Sequence, residues 1–260
     1  RRWERPRRIW EGYTGSTNSV IQLRGGRIVL PFSCLTDRRW DNRGGGHGEF
    51  TFLGAFDSTT IVSDDGGSTW QLSPCRLRVE TPDITGAYGA VEPVVVELAD
   101  GRVWMLIRTQ RGRFYESFSH DGLAWSSPRP TAIVSSDSPA GLVRTADGRL
   151  VLLWNQCLRH PYAFGGRHVL HGAVSTDEGR SWAGCREVAR DPRRDEPPPP
   201  TGDHGTAYPY PTALRDGAIV FTTGQGAGRV QVLRLDPAWL TETRQADDFS
   251  DSLDRWSAFG

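Results

Sequence analysis

Ser63-Asp64-Asp65-Gly66-Gly67-Ser68-Thr69-Trp70 returns as Ser175-Thr176-Asp177-Glu178-Gly179-Arg180-Ser181-Trp182, and a shortened copy, Ser119-His120-Asp121-Gly122-Leu123-Ala124-Trp125, lies between them. The opening serines stand at 63, 119 and 175, a step of 56 residues both times. A turn motif closed by Trp and repeated at that interval predicts the blades of a β-propeller. The residue types explain the turn: Ser and Asp side chains cap backbone N–H groups, Gly takes the positive-φ position, and the indole packs between sheets. The residues that matter in the three copies are Ser63, Asp65, Gly67 and Trp70; Ser119, Asp121 and Trp125; and Ser175, Asp177, Gly179 and Trp182. All are read as scaffold, closing β-hairpins without touching a substrate.

A second repeat supports the first. Gly26 to Phe32, Gly101 to Ile107, Gly148 to Trp154 and Gly217 to Phe221 each follow a turn signal and continue as a short, nearly unbroken apolar run. Such runs suit strands buried between neighbouring sheets. A preceding strand ends just before each turn, at Ser19 to Leu23, Pro93 to Leu98, Ala140 to Val143 and Thr212 to Leu214. The expectation is an all-β chain of about four blades, near residues 10–70, 86–126, 138–183 and 205–235, with no sustained helical periodicity. Asp191 to Pro200, charged and then four prolines, reads as an exposed, stiff loop. Residues 1–240 thus form a partial propeller, and residues 241–260 a linker that leads into the opening strand of a separate β-sandwich.

Composition narrows the functions. Thirty-one basic and 31 acidic residues cancel, which argues against a protein that holds nucleic acid or anionic membrane by its bulk field. Every one of those bases is Arg, so Schiff-base, pyridoxal and phosphate-loop lysine chemistry are excluded. Cys34, Cys75, Cys157 and Cys185 lack metal-type spacing and allow three pairings if oxidised; single buried thiols fit as well. No apolar stretch reaches the length of a membrane span. The chain opens without Met, and four blades rarely close a ring of this type, so the sequence reads as a piece of a longer one. A secreted or periplasmic location is favoured, and the oligomeric state is not legible.

The box pattern on regularly spaced β units resembles the sialidase (neuraminidase) superfamily, six-bladed propellers of glycoside hydrolases, over roughly residues 10–235. The order of polar residues sharpens the resemblance. Glu92-Pro93-Val94-Val95-Val96-Glu97 and the run that ends at Ile107-Arg108 have the form of the family's Glu and Arg on one blade. Arg167 stands eight residues before Ser175, like the Arg of the family's next blade, and Ala207-Tyr208-Pro209 stands where the last blade carries its Tyr. By this resemblance the chain holds the fourth to sixth blades, with residues 10–70 as the third. The family's first Arg and its Asp acid/base are not assignable. Aligned instead as a first blade, residues 12–23 lack the Arg-Ile-Pro of the family, and Asp41, Glu49 and Asp57 are the acids considered nearby.

What the resemblance implies has a chemical reason. A substrate with a carboxylate at its reacting carbon repels a carboxylate nucleophile, whereas a phenol is neutral until it reacts and a neighbouring Glu can take its proton. Tyr208 is the expected nucleophile and Glu92 its base; the bland alternative is a rim aromatic and a strand-end ion pair. Arg108 and Arg167 are expected to fork onto an acidic sugar, or else to form an ion pair between blades. Asp137, Arg144 and Asn155, with Arg159, His160 and Tyr162, surround one blade's inner strand and its following loop, and some of them, Asp137, Arg144 and Asn155 first, are expected to contact substrate, as is His204. Asp203-His204 offers a proton donor, against the alternative of a polar loop. His168 and His171 are three apart and would face opposite ways on a strand, so no metal is assigned. No cofactor is implied.

The expected activity is exo-hydrolysis of a glycosidic bond to an acidic sugar, sialic-acid-like or uronic, by a bacterial enzyme. The expected partner is therefore carbohydrate, without nucleic acid. Two rivals remain open: a polysaccharide lyase on a related propeller, in which Tyr or His abstracts the proton beside a uronate, and a propeller that only binds glycans or proteins.

Overall fold

The computed structural model describes residues 3, 5–38, 54–81, 88–156, 166–196 and 204–243. Four antiparallel sheets follow one another along the chain, each a meander in sequence order. The first comprises β1 (Ile21–Gln22), β2 (Ile28–Arg38), β3 (Gly54–Ser63) and β4 (Gln71–Leu72); the second β5 (Val91–Glu97), β6 (Val103–Arg108), β7 (Arg113–Ser119) and β8 (Arg129–Val134). The third comprises β9 (Gly141–Arg144), β10 (Leu150–Trp154), β11 (Val169–Ser175) and β12 (Ala183–Arg190); the fourth has three strands, β13 (Tyr210–Ala213), β14 (Ile219–Thr223) and β15 (Gln231–Leu235). A 3-10 turn, Pro237–Thr241, follows, capped by Asp236 and anchored by the buried Leu240.

The unbroken apolar runs are explained by alternation. Successive strand side chains point to opposite faces, and every position of β6 and β10 is buried. From β6, Val103, Met105 and Ile107 join Val29, Val62 and Leu77 of the first unit, while Trp104 and Leu106 join Leu142, Leu150 and Leu152 of the third. From β10, Val151 and Leu153 face the other way, onto Ile219 and Phe221 of the fourth. The core is thus a series of seams between consecutive blades, and a strand between two seams must be apolar on both sides.

The three boxes occupy the hairpins between the third and fourth strands of their sheets. In the first, Asp65 Oδ1 accepts from Thr69 N at 2.8 Å and from Ser63 Oγ at 2.8 Å, and Gly67 N donates to Ser63 Oγ at 2.8 Å. Asp177 repeats this with Ser181 N at 2.9 Å and Ser175 Oγ at 2.8 Å, and Asp121 accepts from Leu123 N and Ala124 N, each at 2.8 Å. The second and third boxes also clasp the preceding blade. Thr60 Oγ1 donates to Gly122 O at 2.5 Å and Ser73 Oγ to Leu123 O at 2.5 Å. Glu178 Oε2 accepts from Ala99 N at 2.7 Å, and the Trp182 ring lies 6.4 Å from that of Trp104.

One expectation needs correction. The blades were drawn to end at the box Trp, but β4, β8 and β12 follow it in each case. Pro130 hides β8 from a pattern reading, since Pro is tolerated only on edge strands such as this one. In the segment expected to be an exposed loop, Pro192, Arg194, Asp195 and Glu196 are exposed, and Asp191 at its start is buried and paired with the buried Arg229 at 3.0 Å; residues 197–200 lie outside the described residues. Cys34, Cys75 and Cys185 are free thiols, and Cys157 and residues 244–260 lie outside the described residues.

Candidate active site

Glu92, Arg108, Arg167 and Tyr208 come from three blades and meet at one place. Glu92 gets there through a bulge. Against β6, Val91 pairs with Arg108 and Val94 with Leu106, so three residues of β5 oppose two, and Glu92 takes φ 49°. Tyr208 has φ 57°, in the segment just ahead of β13. Side chains rarely adopt this left-handed region, and each such residue costs of order 1–3 kcal/mol. The others among the described non-glycine residues are Glu178 and Cys185. The tyrosine segment is held by Thr206 N donating to Arg167 O at 2.5 Å and by Gly224 N donating to Ala207 O at 2.9 Å. Gly205 (φ 105°) is required here, because a Cβ would lie 2.4 Å from Arg167 O.

Arg108 is the centre of the cluster. Its Nε donates to Asp137 Oδ1 at 2.8 Å and its Nη1 to Tyr208 Oη at 3.2 Å; Nη1 also donates to Glu92 Oε2, and Nη2 to Tyr88 Oη. The Tyr208 hydroxyl in turn donates to Glu92 Oε1 at 3.1 Å. Its oxygen therefore accepts from a cation while its proton points at a carboxylate. Tyr88 mirrors this on the other side, accepting from Arg108 and donating to Asp137 Oδ2 at 2.8 Å. Exposure separates the two phenols: Tyr88 is 2% exposed, whereas Tyr208 is half-buried. Burial pushes the Tyr88 phenol far above its ordinary pKa.

Electrostatics bind the cluster tightly. Burial works against the Arg108 charge, but Asp137, then Tyr88 and Glu92, raise its pKa well above the ordinary arginine value. Burial likewise works against ionised Asp137, and Arg108 outweighs it, holding the carboxyl at about 2. Arg167, fully buried, donates to Asp137 O at 2.8 Å and Gln225 Oε1 at 2.6 Å, and its guanidinium lies 5.4 Å from the centre of the Tyr208 ring. Among the described residues, two guanidinium and two carboxylate groups of the cluster balance.

Other expected site residues stand differently. Asp137 is in the cluster, but as a partner of Arg108. Arg144 is not brought there: its Nη2 pairs with Glu178 at 2.6 Å and donates to Glu97 O at 2.8 Å, stitching the third blade to the second. Asn155 is fully buried and spent on scaffold, accepting from Ser138 Oγ at 2.7 Å and donating to Val169 O at 2.7 Å and Thr206 O at 2.6 Å. His204 is buried at the start of the tyrosine segment. Asp57 is buried against Arg78 at 2.9 Å. Asp41, Glu49, Arg159, His160, Tyr162 and Asp203 lie outside the described residues.

Sequence reasoning missed Tyr88, Gln110 and Ser16. Gln110 Nε2 donates to Asp137 Oδ1 at 2.9 Å, and its Oε1 accepts from Tyr88 N and Gly89 N, each at 3.0 Å. Ser16 N donates to Glu92 Oε1 at 3.1 Å, and Ser16 Oγ lies 2.7 Å from Tyr210 Oη, linking the segment before the first blade to the last blade. All three missed residues lie outside strands, where no periodicity marks which way a side chain points. Among the described residues, no group of three or more His, Cys, Asp or Glu could hold a metal ion, and no helix is long and apolar enough to cross a membrane.

Comparison with known proteins agrees with this architecture. The NanB sialidase of Streptococcus pneumoniae superposes with a TM-score of 0.55 at 20% identity, over 85% of this chain and 31% of that one. The intramolecular trans-sialidase of Ruminococcus gnavus, solved with oseltamivir carboxylate, gives 0.53 at 20% identity, over 84% and 42%. The Trypanosoma rangeli sialidase, solved with sialic acid, gives 0.53 at 13% identity, over 84% and 30%. The chain thus spans between about a third and two fifths of these proteins, and at such identity the likeness is one of fold. No curated protein matches the sequence. The profile of the BNR repeat-like domain matches residues 1–221, and with its boxes, its seams and its sialidase-like blades, this chain belongs to the BNR repeat-like domain family.

Proposed function

We propose that the cluster is a glycoside-cleaving centre of the sialidase kind, acting on an acidic sugar, with Tyr208 as nucleophile and Glu92 as its base. One observation carries the reading: of the two phenols on Arg108, the half-exposed one, Tyr208, donates to Glu92 Oε1 at 3.1 Å while accepting from Arg108 Nη1 at 3.2 Å. As Tyr208 Oη bonds to the anomeric carbon and the bond from that carbon to the departing oxygen breaks, the phenol proton passes to Glu92, and the charge developing on the attacking oxygen lies against a fixed guanidinium. Neither partner has to reorganise. The left-handed backbone at both residues supports a placement held by its surroundings. A phenol serves an acidic sugar because, unlike a carboxylate, it does not repel the substrate's own charge.

The reading assigns no residue to protonating the departing oxygen, so activated aryl glycosides, which leave as stable anions, are the substrates to test first. Release of dye from an aryl sialoside, abolished in Tyr208→Phe with an unchanged thermal melt, is the expected result. A Tyr208→Phe variant as active as the parent overturns the assignment. A new absorbance in the unsaturated-uronate band would select the lyase reading. Absence of turnover with retained glycan binding would select a binding propeller.

A further inference from the structure

We propose that the Asp137 side chain occupies the carboxylate seat on Arg108, so that an acidic sugar binds this site by displacing it. The inference rests on the sugar-site reading above and goes on to say what limits its affinity for acids.

Arg108 is only 2% exposed, while the Asp137 side chain is 25% exposed. The acid is therefore the solvent-side member of the pair and covers the guanidinium. It covers it on the edge that a bidentate ligand would use: Oδ1 takes Nε directly, and Oδ2 reaches Nη2 through the Tyr88 hydroxyl. With Glu92 and Tyr208 on Nη1, four of the five N–H groups of Arg108 are committed. A third carboxylate finds no vacant fork.

Charge points the same way. Among the described residues, Arg108 and Arg167 are balanced by Glu92 and Asp137, so a ligand carboxylate would give this group an excess negative charge unless one acid moves away. Glu92 is fixed by the β5 bulge and by Ser16 N. Asp137 differs in place rather than in number of bonds: it lies in residues 135–140 between β8 and β9, outside any strand, and its side chain, held by Arg108, Tyr88 and Gln110, is 25% exposed where that of Glu92 is 3% exposed, while its carbonyl accepts from Arg167 Nη2 at 2.8 Å. Rotation of its side chain gives up the bonds to Arg108, Tyr88 and Gln110 and exposes Arg108, without breaking the backbone contact to Arg167.

The test compares sialic acid with its methyl ester, the same sugar without the charge, by ligand-observed NMR titration of the parent, Asp137→Asn and Asp137→Ser. The parent is expected to bind the ester at least as well as the acid. Both variants should bind the acid at least tenfold more tightly than the parent does, a gain larger than any change in affinity for the ester. A parent that prefers the acid tenfold overturns the proposal even if neither variant folds. Variants that melt like the parent, keep ester binding and gain nothing for the acid also overturn it, and leave the sugar-site reading standing. If neither compound binds any of the three proteins, both the proposal and the sugar-site reading fail.

Discussion

Gly122→Ala tests the claim that a box clasps the preceding blade. Gly122 has φ 73°, and a Cβ there would lie 2.9 Å from Val29 Cγ2 and 3.3 Å from Val62 Cγ1, both buried in the seam between the first two blades. Two costs combine. A non-glycine residue in the left-handed region costs about 1–2 kcal/mol, and forcing a methyl group into a packed seam costs about 1–3 kcal/mol, for a total of about 2–5 kcal/mol. Gly101→Ala is the matched control: its φ is 87°, but nothing lies within 4 Å of the added carbon, so only the backbone cost applies. Urea denaturation of both variants should therefore separate them by about 1–3 kcal/mol, with Gly122→Ala the weaker. Equal losses would refute the reasoning, because they would mean that the box hairpin does not press on the neighbouring sheet.

Other outcomes follow from the same geometry. Asp191→Ala, which strands the buried Arg229, should cost about 3–5 kcal/mol, and replacing both residues with apolar ones should recover much of that loss; urea midpoints decide. Asp65, Asp137 and Asp177 hold their carboxyls at about 2, Asp65 through Thr69 and Asp177 through Ser181. Because an unfolded Asp titrates near 4, the folded chain binds fewer protons, so their stabilisation is present above about pH 4 and is lost as the pH falls towards 2. Thermal midpoints should drop across that window; a flat profile from pH 4 to 2 would contradict it. Gly15→Ala places a carbon 2.9 Å from Ser33 Oγ and 3.1 Å from Glu92 Cγ, and by shifting Glu92, the proposed base, should lower kcat roughly 10²-fold with the fold retained.

The propeller was legible in the sequence because its signals are local. A box needs only its own eight residues to form, and a run such as Val103 to Ile107 declares its two buried faces by lacking any polar alternate. The convergence of Glu92, Arg108 and Tyr208 could be expected from the resemblance, but their hydrogen bonds depend on a bulge and a left-handed tyrosine that no pattern encodes. Arg144 was misplaced for a related reason. It closes β9 near the turn, within reach of Glu178 of the third box, and a sequence does not say which of two distant partners an Arg will reach. Asp137 shows the same gap from the other side: it was expected to meet substrate and instead meets Arg108. Tyr88 and Gln110, which hold it there, carry no mark outside the folded chain.

The central claim is that Tyr208 is the atom that attacks, and trapping tests it most directly. A sialosyl fluoride with a second fluorine beside the reacting carbon slows breakdown of a glycosyl–enzyme adduct more than its formation, so the adduct accumulates. Peptide mapping after incubation should place the added sugar mass on Tyr208 in the parent and nowhere in Tyr208→Phe. An adduct on another residue, or turnover of aryl sialosides with no adduct at all, would contradict the account.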